Sequence, residues 1–400
     1  MTTVNFKVLA LNHKTNEREM NKKQLGQFFT INSDYILNGL DKYVRNKTVV
    51  DPFAGSGDLL MWAEKQGARK VRGYDVDKKL VDNKNIFLND SIRTPQAYKF
   101  VLTNPPYLNI NKANKSIKER YFYKFSFEDL YQISLVSILN SDEGIVIVPI
   151  NFLSAENSKK IRDIFFGKFR IVEMNYFKQQ VFPDTTYNVI AFYYRKKTAI
   201  HNSSFAIKTS IYPDRKSVSI QLDKQYHWTI GGKIRTLING QQNVLGIRRL
   251  VESDIKSGPI KIKAAYNHVK DVREFRISKD VHGIINSNLI LLKAIDSGTP
   301  NGKIALENIR EYGVECLISK PSSRHMIQLI FDTPIPVRQQ KQIIDKFNKE
   351  INKLRDNHLS LFMTNYRDND RKRISFDFVY KFINYIYVNK INSIGQEALI

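Results

Sequence analysis

The sequence contains a single cysteine. Cys316 has no partner for an internal disulfide and cannot supply the paired thiolates of a structural zinc site, so it reads as a small apolar core residue. The seven histidines form no HxH or HxxxH group, which leaves no case for a metal centre; His268 and His282 read as surface or hydrogen-bonded side chains. Apolar runs such as Gly144 to Pro149 fall far short of the roughly 18 residues that a bilayer span needs. Residues 1 to 20 carry Lys7, His13, Lys14 and Arg18 without a sustained apolar stretch. No signal peptide is expected there, and the reading is a soluble intracellular protein with no membrane attachment. Also missing are the full GxGxxG of dinucleotide sites, the lysine of a GxxxxGK phosphate loop, a convincing PD...ExK nuclease cluster, internal repeats and low-complexity tracts.

What is present is enough apolar sequence, 42% beside 26% charged residues, to bury a full core and to form about two domains. The formal charge of +24 points to a polyanionic partner, because each Lys or Arg placed on a phosphate releases condensed counterions. The excess is shared, +11 over residues 1–197 and +13 over residues 198–400, so charge alone does not locate a binding face. A generally basic, solvated surface is the competing explanation.

From Thr48 to about Lys197, short β-rich apolar runs alternate with longer mixed segments, the pattern of a doubly wound α/β sheet. The runs are Thr48 to Asp51, Val71 to Asp75, Ile86 to Asn89, Phe100 to Thr103, Gly144 to Pro149, Ile171 to Tyr176 and Val189 to Tyr194. Leu59 to Gln66 and Asp129 to Leu139 carry helical apolar spacing. After Lys197 the sequence becomes turn-rich, with Gly231-Gly232, Ser257-Gly258-Pro259, Ser297-Gly298-Thr299-Pro300 and Lys320-Pro321-Ser322-Ser323, and a boundary is expected near 198–205. From Val337 onward, Ile343, Ile344, Phe347, Ile351 and Leu354 recur at helical spacing, followed by a charged break at Arg367 to Arg373 and a second apolar segment, Phe376 to Val388. The expected division is a catalytic α/β domain over 1–200, a mixed α/β domain over 201–335 and a helical region over 336–400.

Asp51-Pro52-Phe53-Ala54-Gly55-Ser56-Gly57-Asp58 runs from a strand through a glycine turn into a helix. Glycines there let backbone approach a ligand at the carboxyl ends of parallel strands, where open α/β sheets bind cofactors, although a turn of this kind also uses glycine for steric reasons alone. Asp75 ends the second strand at the distance where an acidic residue accepts ribose hydroxyls; a helix-capping role is the alternative for it and for Asp77. Asp90, with Ser91 beside it, ends the third strand, where its carboxylate can accept an adenine amino hydrogen or cap a turn.

Asn104-Pro105-Pro106-Tyr107 ends the fourth strand and is the most informative stretch. Two prolines fix φ and remove two backbone donors. An exocyclic adenine nitrogen is a poor nucleophile because its lone pair is delocalised into the ring, so an acceptor pair must bind the amino hydrogens and aim the nitrogen at an electrophilic methyl. The Asn104 side-chain oxygen and the Pro105 carbonyl can be that pair. Tyr107 would stack on a base drawn out of its helix. A plain Asn-Pro turn after a strand is the bland alternative.

With these motifs in this order, residues 22–196 resemble the γ-class adenine-N6 DNA methyltransferases of Type II restriction-modification systems. The resemblance implies a Rossmann-like S-adenosylmethionine-dependent catalytic domain with a C-terminal recognition domain, in the cytoplasm of a bacterial or archaeal cell. Lys23 to Thr30 looks like the family's N-terminal cofactor segment, with Gln27 and Thr30 near the methionine part of the donor. Asp51, Pro52, Ala54, Gly55 and Gly57 look like its glycine loop, Asp75 like its ribose acid, and Asp90 with Ser91 like its adenine pocket; Asn104 would also face the cofactor. Val181-Phe182-Pro183 resembles the loop that supplies a second aromatic wall, so Phe182 would hold the extruded adenine opposite Tyr107; a loop phenylalanine buried beneath the sheet edge is the alternative. No metal is implied. Double-stranded DNA and a cognate restriction endonuclease are the implied partners.

The second half matches no nameable motif, as the resemblance implies for a target-recognition domain. Arg248, Arg249, Lys261, Lys263, Lys270, Arg273 and Arg276 are candidate phosphate or base contacts, or a solvated face. Phe331 to Ile344 looks like the closing loop and helix of recognition domains in Type I specificity subunits. Competing functions are an RNA-adenine or protein-glutamine methyltransferase, since Asn-Pro-Pro-Tyr positions any planar amine or amide nitrogen, and a non-catalytic DNA-specificity component that keeps the fold.

Overall fold

The computed structural model describes residues 30, 32–183, 187–198, 203–296, 302–358, 363–365 and 371–392. The chain divides into two compact units, Met1–Ile230 and Gly231–Ile400.

The first unit is built on a nine-stranded sheet. Its strands are β1 (Thr48–Asp51), β2 (Lys70–Asp75), β3 (Ile86–Leu88), β4 (Tyr98–Thr103), β5 (Ser141–Pro149), β6 (Phe169–Phe177), β7 (Val189–Lys196), β8 (Ser204–Tyr212) and β9 (Lys216–Asp223). The spatial order is β3-β2-β1-β4-β5-β7-β6-β8-β9. From β3 to β5 all pairings are parallel, which forces the runs to be apolar on both faces: in β5 every residue from Gly144 to Pro149 is buried. Strand β7 enters antiparallel between β5 and β6. Helices α1 (Asp58–Lys65), α2 (Leu130–Ser137) and α3 (Lys159–Lys168) fill the connections. Because parallel crossovers are right-handed, winding outward in both directions from β1 and β4 coats both faces. The order reverses between β1 and β4, the switch point where such sheets open a crevice at their carboxyl ends.

All seven expected runs are strands of this sheet. The boundary expected near residue 200 lies instead at Ile230, because β8 and β9 extend the same sheet, β8 pairing parallel with β6 and antiparallel with β9. Phe205, Ile207, Thr209 and Ile211 are buried and alternate with outward residues, a period-2 signal that the turn-rich reading of this stretch passed over.

The second unit combines a four-stranded and a three-stranded sheet with helices α4 (Gly232–Asn239), α5 (Lys279–Ser287), α6 (Val337–His358) and α7 (Phe376–Tyr387). Strands β10 (Ile247–Arg249), β13 (Ile290–Lys293), β14 (Ala305–Asn308) and β16 (Met326–Phe331) form the first; β11 (Ile260–Tyr266), β12 (His268–Ile277) and β15 (Cys316–Ile318) form the second. Gln328 on β16 is fully buried; its Nε2 donates to the Asn288 carbonyl (2.7 Å) and its Oε1 accepts the Leu317 N–H (2.7 Å), tying the two sheets together. The expected helical periodicity after Val337 is observed as α6. Rather than a separate region, α6 and α7 bring Ile343, Phe347, Ile351, Val379 and Phe382 into one core with Leu292, Leu306 and Leu329 of the first sheet. Cys316 is buried in the smaller core, where burial pushes its thiol up to about 12.

Candidate active site

A cleft opens at the carboxyl ends of the four parallel strands β1 to β4. Each strand contributes its terminal turn. After β1 come Asp51, Pro52, Ala54 and Gly55; after β2, Asp75; after β3, Asp90 and Ser91; after β4, Asn104 and Pro106. Thr30 closes one side. Ten of the candidate residues, scattered over 77 positions of sequence, therefore share one cavity. Gly57, Pro105, Tyr107 and Phe182 lie outside its lining, and Gln27 falls outside the described residues.

The turn after β1 is held from below. Ala54 N–H donates to the Tyr74 carbonyl (2.8 Å), and Gly57, at φ +86°, starts α1 in a conformation only glycine adopts without strain. A Cβ on Gly73 of β2 would stand 2.6 Å from the Ala54 Cβ, so the turn seats only because that position is bare.

Asp51 is 1% exposed. Its Oδ1 accepts the Thr103 hydroxyl (2.6 Å) and the Phe53 N–H (2.9 Å), which brace β1 against β4 across the switch point. Burial nevertheless wins over these bonds and raises its pKa to about 7. A carboxyl so raised keeps its proton in the native state over a range where the unfolded chain has lost it, so its contribution to stability falls as pH climbs from about 4 to about 7 and is flat above. Comparing denaturation midpoints of wild type and Asp51→Asn from pH 4 to 8, the difference is expected to move steadily in favour of the variant up to pH 7 and then stop changing. A pH-independent difference overturns the assignment.

Asp75 directs one oxygen to each side of the crevice. Its Oδ2 accepts the Gly55 N–H (2.9 Å) and its Oδ1 the Asp77 N–H (2.8 Å). Burial raises its pKa. Each Asp75 oxygen thus holds a backbone donor, from Gly55 and Asp77, and retains a further lone pair.

Asp90 meets partners that the sequence did not suggest. Its Oδ2 accepts Arg120 Nη2 (2.6 Å), Arg120 Nε (3.0 Å) and the Tyr121 hydroxyl (3.1 Å). Among the described residues, Oδ1 accepts only from the Arg93 N–H, at 3.3 Å. Arg120 and Tyr121 belong to a single wide helical turn, Lys118–Phe122, and Tyr121 lines the cleft. The aromatic run Tyr121-Phe122-Tyr123 was the available signal for it, with nothing in the local spacing to aim it.

Asn104 is half-buried and donates from Nδ2 to Thr30 Oγ1 (3.2 Å). Its Oδ1 faces the Tyr107 hydroxyl, which also lies 2.9 Å from the Ile147 carbonyl. Burial raises the Tyr107 phenol well above its ordinary value, so it remains a donor, with one proton for two acceptors. The Tyr107 ring is 8% exposed and packs edge-on against Tyr131, centroids 6.3 Å apart. Phe182 is 1% exposed. Neither ring presents a free face in this structure. Phe182 occupies the buried loop position that was its alternative, with Gln180 Nε2 donating to its carbonyl (2.8 Å).

Among the DNA-contact candidates, Arg248 is committed to two carboxylates, Asp254 (3.0 Å) and Asp332 (3.2 Å), Lys261 to Glu274 (2.8 Å) and Arg273 to Asp271 (2.7 Å). Arg249 donates to the Ser323 carbonyl (3.3 Å). Lys263 and Arg276 are exposed on the β11–β12 hairpin. No group of metal-binding side chains occurs among the described residues, and no described helix is long and apolar enough to cross a membrane.

Residues 14–182 match the family model described as Eco57I restriction-modification methylase. That stretch ends within the first unit and includes every lining residue of the cleft. The similarity supports a restriction-modification methyltransferase in this part of the chain. No curated protein matches. Among solved structures, a modification subunit assigned to a type I restriction enzyme of Vibrio vulnificus YJ016 aligns at 13% identity and TM-score 0.38, covering 76% of this chain and 64% of that one. The type I restriction-modification methyltransferase subunit of Streptococcus thermophilus aligns at 15% and 0.34, covering 52% and 58%. The type IIG restriction endonuclease BpuSI aligns at 10% and 0.44, covering 88% and 59%. The chain thus spans less than two thirds of the length of each of these three.

Proposed function

We propose that this protein is a γ-class, site-specific DNA methyltransferase that transfers a methyl group from S-adenosylmethionine to adenine N6, protecting DNA from a partner restriction endonuclease. The observation that carries the reading is the Asn104-Pro105-Pro106-Tyr107 turn at the carboxyl end of β4, with the Asn104 side chain on the wall of a cleft floored by Asp75, Asp90 and the Gly55 turn.

The residues present fit the cofactor. Asp75 offers lone pairs toward ribose hydroxyls, Asp90 Oδ1 toward the adenine amino group, and Thr30 stands beside Asn104 at the end where the methionine part would lie. When bound, the cofactor supplies an electrophilic methyl on a sulfonium. Asn104 Oδ1 and the Pro105 carbonyl accept the two amino hydrogens of the target base and orient its nitrogen, and Thr30 holds the Asn104 amide so that the oxygen faces the base. For the acceptor to be used, the Tyr107 hydroxyl leaves Asn104 Oδ1 for the Ile147 carbonyl, and entry of a flipped base opens the Tyr107 ring. The test is purified full-length chain with labelled cofactor and duplex DNA, RNA or protein as acceptor. Label recovered as N6-methyladenine from duplex DNA is the expected result; label in RNA or on glutamine overturns it.

Arg120 is a positioning residue in this reading. Its guanidinium and the Tyr121 hydroxyl occupy Asp90 Oδ2 and turn Oδ1 toward the cleft. Arg120→Ala is expected to weaken cofactor binding about tenfold and, more tellingly, to shrink the preference for S-adenosylhomocysteine over its 6-oxo (inosyl) counterpart, measured by calorimetry. A purely structural role leaves that preference intact.

A further inference from the structure

The charge balance of the second unit is uneven. On the β11–β12 hairpin, two cations are paired with carboxylates, Lys261 with Glu274 and Arg273 with Asp271. Arg248 and Lys293 are likewise neutralised, by Asp254, Asp332 and Glu307. The turn of that hairpin and the loop 319–325 facing it differ. Lys320 N–H donates to Asn267 Oδ1 (2.7 Å), and its Nζ stands 5.8 Å from the Tyr266 ring centre. Arg324 Nη1 donates to the Pro321 and Ser323 carbonyls (both 2.9 Å), and Arg249 reaches the same Ser323 carbonyl. The His325 and His268 rings lie 6.0 Å apart.

None of Arg249, Lys320 and Arg324 has a carboxylate partner among the described residues, and Lys320 and Arg324 are exposed. Glu252 sits at the rim, accepting from the Tyr266 hydroxyl. Burial first, and then His268, Arg371 and Lys293, hold the His325 pKa below its ordinary value. Carbonyl partners hold the Arg249 and Arg324 guanidiniums without cancelling their charge, and the Lys320 ammonium stands beside the Tyr266 ring, so the loop presents cations at no cost of breaking an ion pair. Arginine forks and lysine ammoniums beside exposed serine hydroxyls, here Ser322, are the groups that grip phosphate oxygens.

We propose that loop 319–325, with the hairpin turn Tyr266–His268 and Arg249, is the phosphate-gripping surface of the second unit, and that its ligand is the sugar-phosphate backbone of duplex DNA. On the flanks of the hairpin, Lys261 and Arg273 are committed to carboxylates. The inference rests on the DNA-methyltransferase reading and deepens it by naming the binding face.

The experiment uses the full chain and a labelled duplex of random sequence, with affinity measured across a salt series. Wild type is expected to bind with log K falling linearly in log salt. Lys320→Ala/Arg324→Ala is expected to bind at least tenfold more weakly near 0.1 M salt and to lose about 1.8 from the slope, about 0.9 per phosphate contact. Lys256→Ala, at the opposite end of the hairpin, should keep affinity and slope. Unchanged circular dichroism and an unchanged urea-unfolding transition of the second unit show that the double variant is folded. If the double variant matches wild type in both quantities, this surface is wrong while the DNA reading stands. If wild type binds no duplex, or prefers RNA, both fall together.

Discussion

Asn104→Ala is expected to reduce methyl transfer to duplex DNA by at least about a thousandfold while leaving cofactor affinity within a few-fold of wild type. The magnitude follows from removing a preorganised group aimed at the reacting atoms, which typically costs two to three orders of magnitude in turnover. Here one substitution deletes both the acceptor Oδ1 and the Nδ2 that anchors it to Thr30. In the proposed reading cofactor binding is carried mainly by the turns after β1, β2 and β3, so it should survive. Asn104→Asp keeps two acceptor oxygens and loses the donor to Thr30, and an intermediate rate is expected from it. The measurement is single-turnover methylation alongside calorimetric binding of S-adenosylhomocysteine. Transfer at the wild-type rate by Asn104→Ala sinks the proposed mechanism.

The site was legible where chemistry and secondary structure coincide. A parallel strand buried on both faces writes itself as an apolar run, and the polar residue that ends the run marks the crevice; Asp51, Asp75 and Asn104 all announce themselves that way. The third strand is short, only Ile86–Leu88, yet Asp90 follows by the same rule. What could not be read is which partner each carboxylate takes. Arg120 reaches Asp90 across 30 positions, through a turn whose own sequence carries no aiming signal. Ring exposure was equally hidden: Tyr107 and Phe182 have the residue types for stacking on a base, but whether an aromatic face is open depends on neighbours such as Tyr131, far along the chain. The extent of the first unit was misjudged for a different reason. Strand β9 is the sheet edge and β8 its neighbour, and both are half-solvated, so their alternation is diluted by lysines and serines and looks like loop.

Arg162 shows the same limit, and it carries the largest expected effect on stability. It sits in α3 between Ile161 and Phe165 on the apolar stripe of Lys159–Lys168, and it is 0% exposed. Its guanidinium donates to the carbonyls of Phe152 (3.0 Å), Ala155 (2.8 Å) and His227 (2.9 Å) and to the Thr229 hydroxyl (2.7 Å). Phe152 and Ala155 bound the end of the short helix Asn151–Ser154, whose last carbonyls have no helical partner. One cation therefore satisfies a helix end and the loop leading out of the sheet. Arg162→Ala leaves several buried acceptors bare, each costing about 1–3 kcal/mol, beside a cavity, and a loss of about 4 kcal/mol or more is expected. Arg162→Met refills most of the volume without the donors; if hydrogen bonding dominates, it should recover less than half of the loss. Both tryptophans of the chain, Trp62 and Trp228, lie buried in the first unit, so tryptophan fluorescence during urea unfolding reports this unit's transition apart from that of the second. A midpoint for Arg162→Ala within about 1 kcal/mol of wild type means that water or local rearrangement replaces the guanidinium, and that the helix end does not depend on it.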